Sequence, residues 1–122
     1  MLTEPISNPS DGPLIDIVVD SWRFSRTFER VLAKLEAVDA SRYLSQLRFY
    51  QKRLDETLAT VALKLVNLEG QSYDPGMAAT ALNIADFGPE DRLVVDQMLE
   101  PVILDESGVR RVGTIMLKRA NV

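Results

Sequence analysis

From Phe24 onward the apolar residues return at intervals of three and four, and after Gly70 that rhythm gives way to short β-branched and apolar runs. Phe24, Phe28, Val31, Leu35 and Val38 step by four, three, four and three. This spacing puts them on one face of a helix, with Arg23, Arg26, Arg30 and Lys34 elsewhere on it. Asp20 and Ser21 stand just before the run and supply N-cap chemistry for its start. Leu14 to Val19, LIDIVV, is too short for periodicity to separate a strand from the lead-in to a helix. Val38 to Ser41 offers new capping residues and predicts a break near Asp39.

The strongest periodic signal follows. Ser41 to Leu68 contains no Gly or Pro, and Leu47, Tyr50, Leu54, Leu58, Val61, Leu65 and Leu68 make six steps between positions 47 and 68. The mean step is about 3.5 residues, the period of a left-handed coiled-coil seam. At about 1.5 Å per residue, such a helix is a rod of roughly 40 Å. A stripe that long needs a long cover. The first helix, folded back as a hairpin, covers part of it, and a second copy of the chain would cover the rest. The alternative is a two-helix layer packed on its own β head.

Gly70 suits the left-handed residue that closes a helix. Gln71 to Gly76 then makes a turn, in which Pro75 keeps Asp74 out of helical space and Asp74 can accept backbone donors. Four candidate β segments follow: Ala79 to Ala85, Arg92 to Leu99, Pro101 to Leu104 and Val109 to Arg119. The loop sequences DFGPED and DESG punctuate them. Pro101 marks its segment as an edge strand, a bulge or a bend. The expected fold class is α+β, a long helix or helical hairpin forming a coiled-coil-like dimerisation stem followed by a small C-terminal β-rich head. The divisions are a disordered tail at 1–13, a helical region at 14–69 and the head at 70–122.

Composition narrows the function classes. With 122 residues and 26% charged, the chain is long enough for one modest domain or a small head on a stem. Its net charge of −4 makes it a poor partner for nucleic acid. There is no apolar run of membrane-spanning length, and the proline-rich N-terminus lacks the basic start of a signal peptide. A cytoplasmic location is the expectation. Cysteine and histidine are both absent, which removes thiolate sites, disulfides and the commonest general base and metal ligand. Asp86, Glu90, Asp91, Asp96, Glu100, Asp105 and Glu106 show no calcium-loop spacing and read as solvated loop acids. The serines have no histidine base and no glycine-rich phosphate loop is present, so the chain is not expected to be an enzyme or to need a cofactor. Met77, Met98 and Met116 are flexible apolar residues that suit core gaps or adaptable binding surfaces.

A coiled-coil-like helix, a glycine, Tyr73-Asp74-Pro75 and a β head ending in β-branched and Met residues resembles the GrpE nucleotide-exchange factors. Members of that family work with DnaK-type chaperones. Met77 follows the turn at an apolar position, while Ala78 and Ala79 stand where the family usually has a histidine. Pro101-Val102 falls at the family's Gly-Tyr position, and Val112-Gly113-Thr114, preceded by Arg110 and Arg111, near its Arg-Pro-Ala strand. The resemblance implies a homodimer whose head binds the chaperone's ATPase domain and promotes ADP release. It implies that Asp74 and Pro75 set the joint, that Met77, Met98, Val102 and Met116 are apolar contacts, and that Arg110 and Arg111 are polar ones. The alternative is a dimeric adaptor of the same shape with a different protein partner. A carboxylate-metal enzyme is a third reading.

Overall fold

The computed structural model describes residues 11–120, so the part of the expected tail before Asp11 lies outside the described residues. The fold is α+β, two helices followed by a small C-terminal β region. The chain divides into two compact units, one running to Leu54 and the other from Asp55.

The first unit holds α1 (Asp11–Leu32) and all but the end of α2 (Ala37–Ala59). LIDIVV belongs to α1, with Pro13 in the first turn, where its missing N–H costs nothing. Asp20 and Ser21 are therefore interior helix residues rather than caps. Ile15, Val18, Trp22, Ser25, Glu29 and Leu32 form the inward row, at alternating steps of three and four. Of the face expected from Phe24, Phe28, Val31, Leu35 and Val38, Phe28 is half-buried and the others are exposed, Leu35 and Val38 lying beyond the end of α1. α1 carries two apolar rows, and spacing alone does not say which one is covered.

The break comes at residues 33–36, ahead of the expected Asp39. The Lys34 and Leu35 N–H groups donate to the Val31 and Leu32 carbonyls at 3.0 and 3.1 Å, tightening the last turn of α1. α2 opens with the Ala40 N–H donating to the Glu36 carbonyl at 2.9 Å, and Asp39 lies in its first turn. Residues 24–28 share a groove with 46–50, and 29–33 share one with 40–44, so the helices form an antiparallel hairpin. The inward row of α2 is Ala40, Leu44, Leu47, Gln51, Leu54 and Leu58.

The helix expected to reach Leu68 ends at Ala59. The Leu63 N–H donates to the Leu58 carbonyl at 3.0 Å and the Ala62 N–H to the Ala59 carbonyl at 3.2 Å. Ala62 has a φ of +58°. This is a Schellman closure, with alanine in the left-handed position that glycine usually takes. Leu58 and Leu63, the apolar pair that accompanies such a closure, are both buried. The expected seam therefore breaks. Val61 is exposed in the turn, Leu65 lies in a strand, and Leu68 is half-buried on the segment after it. Gly70 does take a left-handed φ of +85°, but in a later turn where its N–H donates to the Val95 carbonyl.

The second unit contains two three-stranded sheets. In the first, β4 (Val102–Asp105) lies between β1 (Lys64–Val66) and β5 (Gly108–Arg111), all antiparallel. In the second, β6 (Gly113–Arg119) lies between β2 (Ala79–Ala81), which is parallel to it, and the antiparallel β3 (Leu93–Glu100). Single residues join the sheets: Pro101 between β3 and β4, and Val112 between β5 and β6. Pro101 thus marks a bend ahead of a central strand. Asn83 extends the second sheet with its side chain, donating to the Leu117 carbonyl at 2.9 Å and accepting the Leu117 N–H at 2.8 Å. Val95, Met98, Val102, Ile103, Ile115 and Leu117 form the core.

Two substitutions test this packing. Ala62→Gly removes a left-handed strain of about 1–2 kcal/mol, partly offset by the freer unfolded chain. Urea unfolding is expected to show a gain of roughly 0.5–1 kcal/mol, and a loss would contradict the closure. A Cβ on Gly113 would sit 2.8 Å from Met98 Cε and 2.9 Å from the Glu100 carbonyl oxygen. Gly113→Ala is expected to cost about 1–3 kcal/mol in the same assay.

Candidate functional site

The segment after β1 is built to lie along β3. Glu69 accepts the Met98 N–H at 2.9 Å, and the Leu68 N–H meets Met98 Sδ at 3.3 Å. Further along, the Val95 N–H donates to the Gln71 carbonyl and the Tyr73 N–H to the Leu93 carbonyl. The chain then turns. Asp74 Oδ1 accepts the Gly76 N–H at 3.0 Å, the Asx-type turn expected from the sequence, and the Asp74 carbonyl accepts the Met77 N–H.

Beside this turn lies a cleft of about 610 Å³. Ser72, Tyr73 and Pro75 line it from the turn, and Gly88, Pro89, Asp91, Arg92 and Leu93 from the loop leading into β3. Ile84, in a short 3-10 turn (Ile84–Asp86), and Ala120 complete the lining. That loop is held by one carboxylate. Asp91 Oδ2 accepts the Gly88 N–H at 2.8 Å, and Oδ1 lies 3.3 Å from Arg119 Nε. Arg119 in turn stacks over the Phe87 ring at 5.2 Å. The Gly88 N–H, and after it Arg119, hold the Asp91 carboxyl below its ordinary value. The Ala120 N–H donates to the Arg92 carbonyl, fixing the far side. The recess offers aliphatic, proline and tyrosine surface with Ser72, Asp91 and Arg92 among it.

The structure does not gather the residues singled out from the sequence into one site. Pro75 lines the cleft, with the exposed Asp74 beside it, and Met77 is half-buried after the turn. Met98 is only 2% exposed and Val102 is likewise buried. Both are core residues beneath Gly113, so neither can act as a contact in this conformation. Arg110 and Arg111 are on β5, Arg110 at 3.9 Å from Asp105. Met116 lies on the side of β6 away from the core, opposite Gln97. Of the expected dimerisation residues, Leu47 and Leu58 are buried within the monomer, Leu54 is half-buried and Tyr50 is 42% exposed.

The cleft residues from Ile84 to Leu93 escaped the sequence reading, because DFGPED carries only a generic loop signal. Among the described residues, no group of three or more acids is placed to hold a metal ion, and no helix is long and apolar enough to cross a membrane. Compared with known protein families, curated proteins and solved structures, the chain matches none.

Because its carboxyl is depressed in the fold, Asp91 stabilises the loop above its ordinary value of 3.8, and that contribution is lost as pH falls through the lower folded value. Asp91→Asn should therefore melt below wild type at pH 7, with the difference closing as the pH is lowered past 3.8. A gap independent of pH would show that the charge is not what holds the loop.

Proposed function

We propose that this protein works by binding rather than by catalysis, as a homodimeric co-chaperone of the GrpE type. The helical hairpin pairs two copies, and a head engages the ATPase domain of a DnaK-type chaperone and promotes ADP release. Support comes from the order of parts, a helical element followed by a β head that opens on the Tyr73-Asp74-Pro75 turn. The observation that carries the reading is the one-sided second sheet. Its inner side buries Val95, Met98, Ile115 and Leu117, while Gln97, Glu100, Thr114 and Met116 lie on the other side. That outer side, with an adaptable thioether on the central strand, is the contact face in this reading.

Such a factor makes and breaks no bond. It holds the chaperone open by binding the open state more tightly than the closed one, and it shifts the equilibrium by no more than that difference.

One observation favours a second reading. Met98 and Val102, two of the apolar contacts the resemblance implies, are spent on the core. A dimeric adaptor with a different protein partner accounts for that directly.

Release of a fluorescent ADP analogue from DnaK-type ATPase domains separates the two. The exchange reading expects faster release with wild type and at least about a tenfold loss of that acceleration in Met116→Asp, if the thioether is a central contact. Met98→Asp is unsuitable, since it would place a charge in the core. No acceleration from folded wild-type protein would leave the adaptor reading.

A further inference from the structure

The first unit leaves one side of its hairpin uncovered. Ile17, Phe24 and Val31 on α1 and Leu35 in the turn after it, with Tyr43 and Tyr50 on α2, are all exposed, Phe24 by 69%. Ile17, Phe24 and Val31 are spaced by sevens, as are Tyr43 and Tyr50, so each set forms a straight row along its helix. Between the rows runs a groove of about 320 Å³ lined by Phe24, Ser25, Phe28, Gln46, Leu47 and Tyr50. The Ser25 hydroxyl is buried against it, 2% exposed, and has no hydrogen-bond partner among the described residues. A prominent ring and an unfilled apolar groove therefore lie side by side on the same surface.

We infer that this surface pairs two copies of the chain about a two-fold axis, Phe24 of each entering the groove of the other. The inference rests on the homodimeric part of the proposed function and says which face does the pairing. It keeps Tyr50 of the expected seam and shifts the rest of the interface onto α1, since Leu47 and Leu58 are buried within one chain.

Three observations favour a second copy as the occupant. A two-fold contact needs a protrusion and a recess on one surface, and Phe24 and the groove provide both. The six exposed side chains present roughly 600 Å² of largely apolar area, near the ~800 Å² per partner of a stable interface and at the top of what monomers leave open. The charges around the rows are of both signs, the exposed Asp20 one turn from both Ile17 and Phe24 and Arg42 over the Tyr43 ring at 5.3 Å, so two identical faces do not meet as like charges alone. Residues 1–10 are a poor substitute, with Met1, Leu2 and Ile6 as their large apolar side chains.

Sedimentation equilibrium on the full chain, over a range of concentrations, tests the assignment. Wild type is expected at twice 13.7 kDa. Phe24→Asp and Tyr50→Asp are expected to shift the dimer–monomer midpoint by at least about 100-fold in concentration with unchanged circular dichroism. Val61→Asp, at an exposed apolar residue outside this face, should stay dimeric. Because the chain has no cysteine, Phe24→Cys provides a measurement that leaves the surface apolar, and a short bismaleimide should link its two copies while leaving Val61→Cys unlinked. A wild-type chain that is monomeric throughout would overturn both this inference and the homodimer. A wild-type dimer that persists in Phe24→Asp and Tyr50→Asp, with no linking through Phe24→Cys, would overturn the face alone.

Discussion

The hydrogen bond from the Leu63 N–H to the Leu58 carbonyl decides where the helical region ends and the β region begins. A helix continued through residues 60–66 would have carried Lys64 to Val66 away in further turns. Closed at Ala62, the chain instead presents Lys64, Leu65 and Val66 in register with Leu104, Ile103 and Val102. With β1 in place, β4 becomes a central strand flanked on both sides, and Ile103 is fully buried. The segment from Leu68 to Tyr73 can then run along β3 and deliver the Asp74 turn to its position beside the cleft.

Much of the fold was legible in the pattern of residues. Two helices followed by a β region, the Asp74 turn, the positive φ of Gly70 and the special role of Pro101 all follow from local chemistry. The helix end did not, because its left-handed residue is an alanine and gives no glycine signal. The apolar spacing also ran on past it, since Val61, Leu65 and Leu68 keep step with the earlier leucines. The covered row of α1 was hidden for a related reason. Ser25 and Glu29 interrupt the inward row, while the more hydrophobic Phe24, Val31 and Leu35 face out.

The same conflict separates the sites. A methionine on a strand reads alike from sequence whether it points into the core or away from it, and the register places Met98 and Met116 on opposite sides of one sheet. The bulges in β3, between Val95 and Gln97 and between Met98 and Glu100, contribute to that difference, since each extra residue flips the faces that follow. Gly113 then lets Met98 lie close against the backbone of β6.

The order of the strands has a bearing on how the protein is made. The hairpin joins two elements that are consecutive in the chain, so α1 and α2 can associate as soon as both have left the ribosome. The second sheet is different. Its central strand, β6, follows every other described element, and β2 waits 34 positions for the partner that Ala79 finds in Gly113. Until β6 is synthesised, β2 and β3 have exposed edges and no common neighbour, and the apolar side of β3 has nothing to close over it. The nascent chain thus carries a finished helical hairpin and unfinished sheets, and the interval between them is when it is most exposed to aggregation and most in need of protection.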